Sequence, residues 1–311
     1  MTDQKKINLI FKKCSNLYSA IDDLNKYKFI TDENSYYKAT VSIDVIKDTQ
    51  NAIEEYLNID EINFKNRSTL FIYGVLQSIY CQQDGILSLY QSLIDNKYKY
   101  LSELDNYQLI ETVRKIRNDI VGHPTNRNNG KAFHYLTKGN NSKTEFTYGS
   151  FKPKLLVTRV NLLEIIEQQS TYTIELLNNA LILIDNKISQ HKKKFRNNKM
   201  ASLKDEFEST RSLFSESIFA EDKPLLDMGI DLLKKDIEKL KKETEKRYMS
   251  VLPEIDDFIN IANHIISRFS KWSKYGSLYG NKDAEAFYYC LKYKLNELYG
   301  FLESIDEEFN S

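Results

Sequence analysis

The chain has 311 residues, 41% of them hydrophobic and 28% charged, which allows one large core or two of ordinary size and excludes global disorder. Forty-four basic residues balance 44 acidic ones for a net charge of +0, so a nucleic-acid site would have to be a local basic cleft rather than a property of the whole surface. Three widely spaced cysteines (Cys14, Cys81, Cys290) argue against a disulfide framework, and four scattered histidines (His123, His134, His191, His264) against a set of metal ligands.

Only four prolines and ten glycines interrupt the sequence, and long stretches between them keep helical spacing. Residues 5–26 place Ile7, Ile10, Phe11, Cys14, Leu17, Tyr18, Ile21 and Leu24 at spacings of three and four, an amphipathic helix. Residues 36–58 repeat the pattern through Tyr37, Val41, Val45, Ile53 and Leu57. Residues 67–94 are apolar almost all round, which predicts a helix at the centre of a bundle or at a dimer interface. A motif helix follows from Asn106 to Val121, with Leu109, Val113, Ile116, Ile120 and Val121 facing inward. Phe133, Tyr135, Phe146 and Tyr148 then flank Gly139-Asn140-Asn141-Ser142, the pattern of a small β-hairpin. A fifth helix runs from Arg159 to Ser189.

His191 to Lys199 is the most basic stretch and reads as a hydrated linker or, less simply, as an extension of a phosphate-binding surface. Helical patterns return over 201–218, 223–248, 253–272 and 282–307. The predicted fold is therefore all-α: a helical bundle with a small β-hairpin insertion over 1–190, then a second helical unit over 200–311 of unspecified role. The first residues, Met-Thr-Asp-Gln-Lys-Lys, lack the apolar core of a signal peptide. No apolar run approaches the roughly 20 residues that cross a bilayer. The expectation is a soluble cytoplasmic protein with no membrane partner.

Residues 114–127 carry the chemistry. Arg117 and Asn118 lie where the helix is about to end, and Gly122-His123-Pro124 stops it. Pro124 disfavours the α region for His123, so the imidazole is free to turn back toward the last helical turn, with Gly122 supplying a permissive backbone for the exit. Arg114, one turn earlier, shares the cationic face. A plain helix stop, with arginines complementing the dipole, explains the same residues without function.

Arg117-Asn118-Asp119-Ile120-Val121-Gly122-His123 resembles the signature of the HEPN superfamily, and the preceding helix, with Tyr73-Gly74-Val75-Leu76-Gln77 and Gln82-Gln83-Asp84, resembles that family's central helix, which brings a polar residue toward the site. The resemblance covers about residues 1–190. It implies a metal-independent, cofactor-free endoribonuclease acting as a homodimer, the two motifs facing each other across one cleft. His123 would be general base or acid, Arg117 would stabilise the phosphorane-like charge, and Asn118 would orient one or the other. Asp84 either hydrogen-bonds into the site or satisfies a neighbouring helix. Arg127 and Asn126 either contact RNA backbone or sit in a solvated loop.

The implied role is a toxin–antitoxin or abortive-infection effector used in antiviral defence, with an antitoxin or regulatory protein as a further partner. The rival is a non-catalytic HEPN-like dimeric module that holds nucleotide, RNA or a protein. No glycine-rich phosphate loop supports an NTP-dependent enzyme. The 21 tyrosines suit base stacking, though an AT-rich coding sequence accounts for them as well, and Cys81 reads as a core residue.

Overall fold

Apolar spacing of three and four residues produces a chain of helices interrupted once by a small sheet. The computed structural model describes residues 3–27, 29, 33–94, 107–127, 129–139, 141–152, 154–220, 222–275 and 280–310. Asn106 and Asn140, expected in the motif helix and the hairpin turn, lie outside the described residues. The fold is all-α with a three-stranded antiparallel sheet inserted. It divides into one unit of Met1–Asn25 and Ile30–Asn186 and another of Lys26–Phe29 and Lys187–Ser311.

The first unit contains α1 (Asp3–Lys26), α2 (Glu33–Asn58), the short α3 (Glu61–Asn66), α4 (Ser68–Leu93), α5 (Tyr107–Arg117), β1 (Phe133–Leu136), β2 (Glu145–Lys152), β3 (Lys154–Asn161) and most of α6 (Leu162–Phe195). Ile10, Cys14, Leu17, Ile21 and Leu24 of α1 are buried, and Lys6 and Lys13 reach Glu167 and Asn178 of α6 at 3.2 and 2.9 Å. On α2 the buried stripe is only partly the expected one: Ile53 is buried and Val45 and Leu57 half-buried. Tyr37 and Val41 are exposed, whereas Ala39, Ser42, Ile43, Ile46, Gln50 and Ile53 are buried. Two polar residues occupy inward positions, and hydropathy alone cannot assign such a face.

The reason lies at the bundle centre. Gln50, Gln82, Gln83, Gln169 and Thr173 are at most 1% exposed, and their side chains bond to one another. Gln82 donates to Gln50 at 3.1 Å, Gln83 to Gln169 at 3.0 Å, and Gln169 to Gln82 at 3.0 Å. Bonding to one another offsets most of the cost of burying these amides, although Gln50 Nε2 and Gln83 Oε1 find no hydrogen-bond partner among the described residues. Gln82 and Gln83, expected on the segment serving the site, thus belong to the core.

The expected hairpin is two strands of three. β1 pairs with β2 and β2 with β3, with Phe133 opposite Phe151 and Phe151 opposite Leu155. Gly139 sits in the β1–β2 turn at φ +103, a conformation that favours glycine. β3 takes residues expected to start the fifth helix, which begins instead at Leu162. Its contiguous Leu155, Leu156 and Val157 are all exposed, so no alternation marks it as a strand. Phe146, Tyr148 and Val160 lie on the face opposite Leu155 and Val157 and join Val113, Ile116 and Ile120 in the core.

The second unit holds the end of α6, α7 (Leu203–Ala220), α8 (Lys223–Arg247), α9 (Pro253–Tyr275) and α10 (Lys282–Asn310). Successive helices pack together and α10 closes onto α7. The expected basic linker is not a linker: α6 continues to Phe195, and His191 is buried, with Nε2 2.8 Å from the Arg247 carbonyl oxygen. His191 and Phe195, one turn apart, direct their rings at each other and at Phe309. Arg247, 1% exposed, pairs with Glu243 at 2.9 Å and lies 4.6 Å from the Phe195 ring centroid.

Two stability tests follow from this packing. Arg247→Ala removes a buried cation and leaves the Glu243 and Asn198 carbonyls that accept from it without that donor. A loss of about 3 kcal/mol is expected in urea titration, because truncating one side of a buried pair strands the other. Burial opposes ionisation of Glu308, but Lys26, Tyr27 and Tyr248 all donate to it and hold its carboxyl below the ordinary value of 4.5. A depressed folded-state pKa contributes stability at higher pH that is lost as pH falls through it. Glu308→Gln should therefore flatten the decline of the unfolding midpoint below about pH 4.5; an unchanged acid limb would contradict this.

Candidate active site

The end of α5 does not stop as a plain helix. After Arg117 the backbone widens into a π turn, Asn118–Gly122, closed by the His123 amide donating to the Asn118 carbonyl at 2.9 Å. Widened turns of this kind recur at functional sites. Gly122 has no positive φ, so the permissive exit expected of it is not its contribution. Its missing side chain matters instead, since a Cβ there would lie 2.7 Å from Arg117 Nη1 and 3.2 Å from Asn118 Oδ1. The Arg117 guanidinium occupies that space and reaches the residue next to His123.

Neutral groups hold Arg117. Its Nε donates to Gln77 Oε1 and its Nη1 to Asn118 Oδ1, both at 2.9 Å, and its Cζ lies 4.4 Å from the Tyr80 ring centroid. Arg114 stacks on the same ring at 4.6 Å and is neutralised by Asp84. Gln77, Tyr80 and Asp84 form one stripe of α4 at spacings of three and four, facing Arg114 and Arg117 at a spacing of three. Among the described residues no carboxylate pairs with Arg117. Its positive charge is oriented and uncompensated, as an anion receptor requires.

A second cluster lies behind the turn. Asp119 is 2% exposed. Its Oδ1 accepts from Arg127 Nε at 2.8 Å and stands 3.6 Å from His134 Nε2. His134 in turn has Nδ1 2.7 Å from Ser150 Oγ, and its backbone amide donates to the Pro124 carbonyl at 2.7 Å. The types Ser, His and Asp invite comparison with a nucleophilic relay, but Ser150 is buried on the inner sheet face. Here the three residues orient one another and bind the sheet to the turn.

The expected residues therefore divide. Arg117, Asn118, Arg114 and Asp84 come together around Tyr80, with Asp84 serving the neighbouring helix. Arg127 is paired with Asp119 rather than lying in a solvated loop, and Asn126 is exposed. His123 is exposed directly after Gly122, at φ −140 and ψ 56. Gln77, Tyr80, Asp119 and His134 escape the sequence reading as site residues. The polar stripe 77–80–84 on an otherwise apolar helix was the available sign for the first two, and Asp119, a carboxylate inside the motif between buried neighbours, for the third.

Cys81, expected in the core, is partly buried and within 3.1 Å of Gln77 Nε2. Among the described residues no group of three or more His, Cys, Asp or Glu side chains is placed to hold a metal ion, and no helix is long and apolar enough to cross a membrane. Comparison with family models, curated proteins and solved structures finds no match.

Gly122→Ala tests the cradle. The clashing atom is the end of a flexible side chain, so the backbone should hold and the unfolding midpoint should move by no more than about 1 kcal/mol. The Arg117 Nε–H resonance in a nitrogen–proton NMR spectrum should shift as the guanidinium is displaced. A spectrum identical to that of the parent would mean that Arg117 does not rest against Gly122.

Proposed function

We propose that this chain is a metal-independent endoribonuclease of the HEPN type, in which Arg117 and His123 act on an RNA phosphodiester. The observation that carries the reading is the uncompensated Arg117 guanidinium, held by Gln77, Asn118 and Tyr80 against Gly122, one residue from an exposed imidazole. A phosphate oxygen is the natural partner of such a cation. The ribose 2′-oxygen attacks phosphorus, its proton passes to an imidazole, and the 5′-oxygen leaves with a proton from a general acid. Orientation of an intramolecular nucleophile supplies much of the acceleration.

An imidazole can take up or give up a proton in the same reaction, so it serves as base or acid. A second copy of the chain would supply the second imidazole, which is why the reading includes a homodimer. The biological role that accompanies it is a toxin or abortive-infection effector controlled by an antitoxin or regulatory protein.

One observation favours a second reading, a dimeric module that binds RNA, nucleotide or protein without cutting. Arg117 already uses its Nε hydrogen on Gln77 and one Nη1 hydrogen on Asn118, which leaves the second Nη1 hydrogen and the two on Nη2 for a ligand. Incubating the purified chain with RNA in a chelator separates the two. The nuclease yields 2′,3′-cyclic phosphate and 5′-hydroxyl ends and spares a strand lacking the 2′-hydroxyl. His123→Ala should slow cleavage by about 10² to 10⁴, Arg117→Ala by a comparable factor, and both should relieve growth arrest on expression. Cleavage or toxicity that survives in both folded variants removes the catalytic reading.

A further inference from the structure

The outer face of the three-stranded sheet carries residues that the site does not use. Phe133, Phe151 and Leu155 stand in register across β1, β2 and β3, and Tyr135, Gly149 and Val157 form the next row. Phe133, Tyr135 and Phe151 are 47%, 50% and 49% exposed, unusual for three neighbouring rings. Tyr135 lies over Gly149, where a Cβ would come within 2.8 Å of its Cζ, Cε1 and Oη. The glycine lets the ring rest on the sheet and keeps its outward face open.

Charge distinguishes between the occupants such a face could take. Residues 131–161 contain Lys131, Lys138, Lys143, Lys152, Lys154 and Arg159 against a single carboxylate, Glu145, in a chain whose net charge is +0. Lys131, Lys138 and Lys154 are exposed, and Glu145 is taken up by Arg159. A second copy of the same face would bring this excess against itself. A polyanion with planar apolar groups meets both requirements at once, because bases stack on rings while phosphates meet the surrounding cations.

We infer that this face is a stacking surface for unpaired bases of a single nucleic-acid strand, Phe133, Tyr135 and Phe151 taking the bases and the exposed Lys131 and Lys138, at the two ends of β1, the phosphates. It rests on the ribonuclease reading for its biological substrate, but stacking on aromatic rings needs no 2′-hydroxyl. Its binding is therefore measurable on a strand that the proposed chemistry cannot cut.

The test is fluorescence anisotropy of the full chain with labelled single-stranded oligodeoxythymidylate. The parent should bind, with affinity falling as salt rises. Phe133→Ala and Phe151→Ala should each weaken binding about tenfold, and Phe133→Tyr and Phe151→Tyr should preserve it. Both positions are exposed, so a fold intact by circular dichroism is the expected control. Absence of binding by the parent, or equal binding by the alanine variants, overturns the inference. So does a parent dimer that the double alanine variant dissolves in sedimentation while its oligonucleotide affinity holds, since the face would then join copies of the chain. The two readings fail separately: loss of binding in Phe133→Ala without any RNA cleavage by the parent removes only the nuclease. Cleavage that depends on His123 alongside unchanged binding in Phe133→Ala removes only the stacking surface.

Discussion

A carboxylate inside the first unit fixes the arrangement of everything near the motif. Asp119 sits within the π turn and is met from two directions, by Arg127 from the following loop and by His134 from β1. A buried anion without partners is severely penalised, while one with geometrically sound partners is tolerated. The backbone bond from His134 to Pro124 reinforces the tie. The sheet is thus fastened at the point where the helix widens, and the widened turn in turn decides where Arg117 and His123 stand.

Two arginines show how the surroundings separate a structural cation from an available one. Arg247 is 1% exposed and meets a carboxylate and two carbonyls, so its charge is answered within the second unit. Arg117 meets an amide oxygen on each side and a ring beneath, none of which carries a full negative charge. Both are firmly held, but among the described residues only the first meets a carboxylate. The immobilisation matters as much as the charge. A guanidinium already fixed in place gives up little side-chain freedom on meeting an anion.

The long helices were legible because apolar residues repeat at three and four along them, as in α1 from Ile10 to Leu24. The α2 face was not, because Gln50 takes an inward position through the glutamine network and Ser42 by donating to the Lys38 carbonyl of its own helix, and no count of apolar residues anticipates amides that bond to one another across three helices. β3 was hidden for the opposite reason, since Leu155, Leu156 and Val157 are apolar yet exposed. Within the site, Arg117 and His123 were visible as types at a spacing. Their support was not, because Gln77 and Tyr80 come from a helix about forty residues earlier in sequence and meet Arg117 only after folding. The basic run at 191–199 misled because its charges are solvated while His191 and Phe195, one turn apart, dock inward.

Strand alternation links the two clusters of the first unit. On β1, His134 points inward to Asp119 and Ser150, while Phe133 and Tyr135 on either side point out. A slip of one residue between β1 and β2 would reverse every side chain of the strand. The two rings would then turn inward against the helix, His134 would turn outward, and Asp119 would lose one of its two partners. The observed register is the one that keeps His134 beside that buried carboxylate. The pairing that keeps Asp119 satisfied is thereby the same pairing that leaves three aromatic rings on the open face of the sheet.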